Sequence, residues 1–199
     1  MRRIFPALMI AVALSALSAP VVGQEMQVDV EQRHNGWWFG AGLGGGWNST
    51  DTPDTTQGGG AGFIRGGGTL KQWFLFGVDV AFWVKRIGTS QDPVWISSTN
   101  ATAMAMLYPL YPLGGYLKVG VGVGIADVVE NTEVLGAIPP AHKEYGIGLT
   151  GGIGWDLRVG RNFYLTPNVD VIWNNVQNPV GTEKVNSLAV TIALGVTWH

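Results

Sequence analysis

The stretch Tyr116-Leu-Lys-Val-Gly-Val-Gly-Val-Gly-Ile125 decides how the rest of the chain is interpreted. Successive side chains of a β-strand point to opposite faces, so odd and even positions belong to different surfaces. After Tyr116, the even positions hold Lys118 and then only glycine. The odd positions are aliphatic throughout: Leu117, Val119, Val121, Val123 and Ile125. Because a water-soluble sheet normally exposes many charged and hydroxyl side chains, we predict that this aliphatic face meets a surface larger than a protein core.

The composition excludes several classes of protein. Only 13% of the 199 residues are charged, against roughly 25% in soluble domains. The absence of cysteine excludes disulfides, thiolate metal sites and cysteine nucleophiles. Beyond the first two dozen positions no apolar run approaches the ~20 residues of a transmembrane helix. The length is suited to one all-β barrel or sandwich domain.

The N-terminal segment is typical of a secretory signal peptide. Arg2 and Arg3 precede an apolar stretch over 4–17, and Val-Val-Gly at 21–23 provides small residues for cleavage. We predict a signal peptide over 1–23, with a cut after Ala19 or a retained N-terminal helix as alternatives. Residues 24–35 are predicted to be an exposed periplasmic extension. Removal of 1–23 leaves ten basic and fourteen acidic residues, a net charge of about −4 that predicts no nucleic-acid partner.

From residue 36 to residue 199 the alternating pattern recurs and predicts eight strands. The connections alternate between long and short, so in an antiparallel meander all long loops emerge at one end. The long loops are predicted at 48–58, 85–97, 128–143 and 174–184. Pro167 lies within the seventh strand and Ile172 interrupts its alternation, so we predict a bulge or an irregular start there.

The distribution of charges and aromatic residues indicates which face is inside. Charges at the bilayer midplane cost about 2–4 kcal/mol on the lipid face, and the register places five of them inward: Arg65, Asp79, Lys118, Asp156 and Asp170. Inward glycines leave room for Trp38, Trp73 and Trp83, whereas Met104, Met106 and Tyr108 are predicted to point outward. Aromatic residues at outward strand ends predict two girdles formed by Trp37, Trp47, Tyr145, Trp173 and Trp198.

A soluble barrel of the lipocalin or biotin-binding type is the alternative architecture. Such a barrel turns its apolar face inward and a charge-rich face outward. Here the non-aliphatic face of the fifth, sixth and eighth strands is almost entirely Gly, Ala and Thr, which is too poor in charge to solvate a surface. The predicted fold class is therefore all-β, an eight-stranded antiparallel up-and-down transmembrane β-barrel.

This architecture resembles the small eight-stranded bacterial outer-membrane barrels, which include the transmembrane domain of outer membrane protein A, the OmpX and Ail/Lom type adhesins and the opacity proteins. The resemblance implies a monomer in the outer membrane beside lipopolysaccharide, with periplasmic termini. It also implies recognition of the C-terminal strand by the barrel-assembly machinery. Family members typically end in an aromatic residue, whereas here Trp198 precedes His199.

The function expected from this resemblance is a non-enzymatic structural or surface-interaction role, adhesin-like, through the four loops. The five inward charges are expected to plug the lumen as an ion-pair network, with a narrow porin-like channel as the alternative. A lipid A-modifying enzyme would need a rim histidine, and His142 in the longest loop has no serine in a paired position. His142 with Glu130, Glu133 and Glu144 could be imagined as a metal cluster, but solvated loop carboxylates are favoured. No cofactor and no metal site are therefore expected.

Overall fold

The structure, a computed structural model, describes residues 34, 36–51, 54–88, 93–130, 141–177 and 184–199. Among these residues no helix is long and apolar enough to cross a membrane. A short 3-10 turn occupies Tyr111–Leu113. The strands are β1 (Trp37–Asp51), β2 (Asp54–Lys71), β3 (Phe74–Gly88), β4 (Pro93–Leu110), β5 (Gly115–Glu130), β6 (Ala141–Trp155), β7 (Leu157–Arg158), β8 (Phe163–Gln177) and β9 (Lys184–Trp198).

The strands form a closed antiparallel barrel. Each strand from β1 to β5 pairs with the next, β7 pairs with β8, and β8 pairs with β9. The pairing of β1 with β9 and of β6 with β8 closes the ring. Because β6 and β7 occupy one position around the barrel, this is an eight-stranded barrel with one broken strand. The predicted all-β up-and-down architecture is confirmed.

The break between β6 and β7 falls opposite Pro167. Against β8, Gly154 pairs with Asn168 and Leu157 pairs with Leu165, so the register is the same on both sides of the break. Proline has no backbone N–H to donate to a neighbouring strand, which explains why the ladder lapses here. The bulge predicted within this strand is wrong, because β8 pairs with β9 without a register shift and the irregularity lies in its other neighbour.

The two ends of the barrel differ. The turn end carries Trp37, Trp198 and the connections at 72–73, 111–114 and 159–162; the loop end carries the other four connections. The four predicted loops are too long, since paired strand extends into each of them. Between β1 and β2 only 52–53 separate the strands, because Thr50 and Thr55 pair and their hydroxyls lie 3.1 Å apart. Such cross-strand pairs support a ladder that turn chemistry alone predicts to be loop.

The outer face is apolar over most of the barrel. Leu43 on β1 is 73% exposed, and Val119, Val121 and Ile147 are exposed on β5 and β6 at another side of the barrel. Monomeric soluble proteins rarely expose a continuous apolar surface of this size. The five predicted girdle residues all lie on this outer face; Trp37, Trp47, Tyr145 and Trp198 are exposed and Trp173 is partly exposed.

Several predicted orientations are wrong. Met104, Met106 and Tyr108 point inward and are buried, because the alternate positions of β4 are occupied by alanine and Leu107, which form its outer face. Ile172, which the regular alternation places inward, is inward and buried, so no bulge is needed to accommodate it. Trp73 is half exposed, since it lies in the turn between β2 and β3 and not inside a strand.

Most of the predicted extension over 24–35 lies outside the described residues. His34 is the exception within this segment, and it is not exposed as predicted. It is 2% exposed, and its ring lies 4.3 Å from that of Tyr108 at the turn end.

Candidate functional site in the barrel lumen

The lumen holds the five charged residues that the sequence predicts to point inward. All five are at most 2% exposed, and they come from five different strands or strand breaks. They do not form one network of ion pairs. The structure separates them into three groups at successive levels: Lys118 with Asp79 and Asp170, then Arg65, then Asp156.

The central group is an ammonium held between two carboxylates. Lys118 Nζ lies 2.8 Å from Asp79 Oδ2 and 2.9 Å from Asp170 Oδ2. Asn168 also donates a hydrogen bond of 2.7 Å to Asp170 Oδ2. Because an unpaired buried charge is very costly, the lysine that pairs with both carboxylates is important for their compensation.

Glycine makes space for the central group. Gly152 is adjacent to Asp170 in the β6–β8 register, and a methyl group at Gly152 would collide with the Asp170 carboxylate. Gly154 has the same relation to the Tyr116 ring, which occupies the space where its Cβ would lie. The inward glycines of β6 are therefore needed because they have no side chain, which leaves space in the lumen for the side chains of neighbouring strands.

Arg65 does not form a salt bridge with a carboxylate among the described residues. It is opposite Asp79 in the β2–β3 register, yet its Nη2 donates a 2.9 Å hydrogen bond to the hydroxyl of Tyr116. Its guanidinium also lies 4.4 Å from the centre of the Phe63 ring. The arginine is thus accommodated by aromatic faces and a phenol, which favour its planar cation.

Asp156 lies at the strand break and accepts hydrogen bonds at both oxygens. Tyr108 donates to Oδ2 over 2.7 Å, and Thr166 donates to Oδ1 over 2.8 Å. His199 Nε2 lies 3.7 Å from Oδ2. His34 Nδ1 lies 2.7 Å from the carbonyl oxygen of Gln72. Strand pairing is interrupted opposite Pro167, and at this break Asp156 contacts three other parts of the chain, at Tyr108, Thr166 and His199.

Sequence reasoning missed most members of this turn-end group. Tyr108 was predicted to point outward, and His34 was assigned to an exposed extension. The alternation does contain a signal for His199, because Trp198 faces outward and the next residue must face inward. Backbone pairing fixes that position, since His199 N–H donates to the carbonyl oxygen of Asn162.

The lumen nearer the loop end is lined by amides and hydroxyls. Asn174 donates to Ser98 Oγ over 2.7 Å, and Ser187 donates to Asn48 Oδ1 over the same distance. Asn100 donates to the carbonyl oxygen of Leu149. Polar side chains therefore continue from the loop end to the central charges, where Thr102 and Thr150 lie 3.2 Å apart.

Apolar side chains fill the remainder of the lumen. One cluster near the turn end comprises Trp38, Leu75, Met104, Met106, Tyr108 and Tyr116. A second, nearer the loop end, comprises Ala61, Ala81, Trp83, Ile172 and Ala189. Because eight-stranded barrels have an interior just wide enough to be filled by side chains, this interior is a packed core around polar groups.

The loop residues considered for catalysis or metal binding are only partly described. Glu133 lies outside the described residues, and the side chains of Glu130 and His142 lie outside the described set as well. Glu144 is partly exposed on β6. The sequence prediction for this group therefore stays a prediction.

Comparisons with known proteins agree with this architecture. The family model described as outer membrane protein beta-barrel domain matches residues 8–198. A search of curated proteins gives no match. Among solved structures, the chain is similar to Neisserial surface protein A, with 16% identity, a TM-score of 0.56 and coverage of 82% of this chain and 97% of the other.

The attachment invasion locus protein Ail of Yersinia pestis, solved in complex with the heparin analogue sucrose octasulfate, is also similar. It shares 9% identity and a TM-score of 0.57, with coverage of 82% of this chain and 99% of Ail. At this level of sequence identity, the similarity of the structures shows a shared fold and nothing about function.

Proposed function

The chain belongs to the outer membrane protein β-barrel family, and from this premise we propose that it is a non-enzymatic surface protein of the bacterial outer membrane. Its apolar face contacts lipid and lipopolysaccharide, its turn end faces the periplasm, and its loop end contacts a partner outside the cell. The observation that supports this proposal is the packing around the central charges of the lumen. The side chains of Lys118 and Asp79 are 0% exposed, so water reaches neither of them in the structure.

The loop end is the surface that remains for interaction. Its strands are tied together: Asn186 donates from its backbone to Asp51 Oδ1 over 2.9 Å and from its amide to Oδ2 over 2.6 Å. Asn175 in turn donates to Asn186 Oδ1 over 2.7 Å. We name this hydrogen-bonded edge of β1, β9 and β8 the rim.

The charge of the loop end constrains the partner. The four segments 48–58, 85–97, 128–143 and 174–184 contain six acidic and four basic residues. A heparin-like polyanion needs clustered positive charge, so we propose a neutral or basic protein surface as the partner class. Ail, which is solved in complex with a heparin analogue, contrasts with the partner class proposed here.

A binding assay tests this proposal. Proteoliposomes carrying the pure protein are applied to surfaces coated with a panel of neutral and basic proteins or with heparin. We expect retention on the protein surface and none on heparin, with loss of retention when residues 131–140 are replaced by Asn-Gly. A matched control makes the same Asn-Gly replacement of residues 111–114 at the turn end. No retention of wild-type liposomes on the protein surface contradicts the proposed role, and retention on heparin contradicts the proposed partner class.

A narrow channel is the second candidate function. The polar side chains that run from Asn174 to the central charges favour it, because rearrangement of the Lys118 ion pairs would join the two ends of the lumen. Single-channel recording distinguishes the two functions. A plug gives no steady conductance, whereas a channel gives one that changes in Asp79→Ala and not in Asp127→Ala, a control outside the lumen.

An absence of enzymatic activity is part of the proposal and is tested separately. The mass spectrum of lipid A is compared between cells with and without the protein. We expect identical spectra, and a modified lipid A that disappears in His142→Ala contradicts this expectation.

A further inference from the structure

We propose that His34, Asp156 and His199 form a binding site for a divalent transition metal ion, with Zn²⁺ as the ion that fits best. One ligand atom from each residue lies within 4.8 Å of the other two. The three residues are separated widely in sequence and are brought together by the end of β9, the break after β6 and the segment before β1.

The donor set is one that zinc prefers. Two imidazoles and one carboxylate are the protein ligands of open tetrahedral zinc sites, in which water takes the fourth position. With bonds of about 2.0–2.2 Å, tetrahedral coordination places the ligand atoms about 3.4 Å apart. The side chains therefore need to approach by ~1–1.5 Å, which rotation about their side-chain torsions can supply. The single negative charge of Asp156 offsets half of the charge of the ion.

The groups around the three ligands form hydrogen bonds to them, and such hydrogen bonds orient metal ligands in proteins. The partner of His34 Nδ1 is the carbonyl oxygen of Gln72, which can only accept, so Nδ1 carries the proton. In that tautomer Nε2 of His34 is the nitrogen that carries the lone pair, and it is therefore the ring atom with which a metal ion would bond. Each oxygen of Asp156 accepts one hydrogen bond, from Tyr108 or Thr166, and keeps a second lone pair.

His199 supplies a second, independent observation. Its side chain is 3% exposed, and neither ring nitrogen has a hydrogen-bond partner among the described residues. Buried polar atoms are nearly always satisfied, so an imidazole in this position lacks a partner that a metal ion would provide. The ring of His34 lies 4.4 Å away, so both imidazoles lie beside the Asp156 carboxylate.

The alternative to a metal ion is a direct contact of His199 with Asp156, whose Oδ2 lies 3.7 Å from Nε2. Metal binding has a different consequence, because it joins the segment before β1 to the end of β9. A metal ion that binds only the folded barrel would also raise its unfolding temperature in a concentration-dependent way.

Zinc titration of the folded protein tests the site. The protein is purified without a polyhistidine tag, stripped with a chelator and titrated calorimetrically. We expect one Zn²⁺ per chain. His34→Ala and His199→Ala should each weaken binding by more than the roughly 10–100-fold typical for loss of an outer-shell partner. The control His142→Ala, at the loop end, should bind as the wild type does.

Two further measurements keep the test decisive if a histidine variant does not fold. Tyr108→Phe retains all three ligands and should weaken zinc binding about 10–100-fold. Co²⁺ bound to the wild type should give the visible absorption of a four- or five-coordinate ion. Absence of binding at ~1 mM Zn²⁺, unchanged affinity in folded histidine variants or in Tyr108→Phe, or loss of binding in His142→Ala overturns the proposal.

Discussion

Lys118 on β5 and Asp170 on β8 form an ion pair of 2.9 Å although their strands are not neighbours. The lysine reaches past β6 to Asp170 and, in the other direction, past β4 to Asp79. One side chain therefore connects three non-adjacent strands through the lumen. Its removal affects the compensation of two buried carboxylates at once.

We expect Lys118→Met to destabilise the barrel by about 3–5 kcal/mol, because it leaves buried carboxylates without their cation. Denaturant unfolding in phospholipid vesicles, followed by tryptophan fluorescence, measures the change. The control Lys143→Met removes an ammonium that is 53% exposed and 3.7 Å from Asp127, so its effect should stay within about 1 kcal/mol.

A charge-free variant separates loss of compensation from loss of packing. Lys118→Met combined with Asp79→Asn and Asp170→Asn should recover most of the stability lost in the single variant, since no uncompensated charge remains. A triple variant that is less stable than Lys118→Met would show that packing and hydrogen bonds dominate.

We expect Gly152→Ala to destabilise the barrel by about 1–3 kcal/mol, the range typical of overpacking. The added methyl group would collide with the Asp170 carboxylate. The control is Gly151→Ala on the outer face, where the nearest atom to a Cβ is the Lys118 carbonyl oxygen at 3.8 Å. The same unfolding assay should show little effect there, and equal effects at both positions would contradict the steric explanation.

The position of the barrel in the membrane predicts a depth-dependent cost of charge. Leu43→Arg places a cation in the middle of the apolar face and should cost about 2–4 kcal/mol. Ser49→Arg, on the same face of β1 nearer the loop end, should cost about 0–1 kcal/mol. Unfolding in vesicles measures both, and a cost at Ser49 as large as that at Leu43 would place the bilayer elsewhere.

The orientation of the barrel can be measured without background labelling, because the chain has no cysteine. Arg86→Cys is exposed at the loop end and Arg161→Cys at the turn end. An impermeant maleimide added to intact cells should label the first and reach the second only after the outer membrane is permeabilised. The reverse pattern would invert the proposed topology.

Alternation predicts the fold and most residue orientations because inner and outer faces differ chemically. It is informative in β3, where Asp79 and Trp83 alternate with exposed valines. It fails in the second half of β4, because methionine and alanine are both apolar; the polar residues that mark the inner face, Ser98, Asn100 and Thr102, all precede it. The predicted loop boundaries are wrong because serine and threonine are common in turns, whereas here Ser49, Thr50 and Thr55 pair within the β1–β2 ladder.

The contacts across the lumen could not be predicted for a geometric reason. The sequence identifies Arg65, Asp79 and Lys118 as inward, but the pairing depends on how far each strand is shifted along the barrel. Arg65 and Asp79 are register neighbours, yet Asp79 pairs with Lys118. The group of His34, Asp156 and His199 depends further on a break in one strand, for which Pro167 is the only signal.

The rim has a consequence for recognition. Beyond Trp47, β1 continues as paired strand to Asp51, where Asn186 holds it; this continuation rises roughly 9 Å for tilted strands. A molecule that docks on such an edge meets backbone that is already ordered, so association loses little conformational entropy. Affinity then depends on the shape of the edge, and the connecting residues can vary without unfolding the surface that presents them.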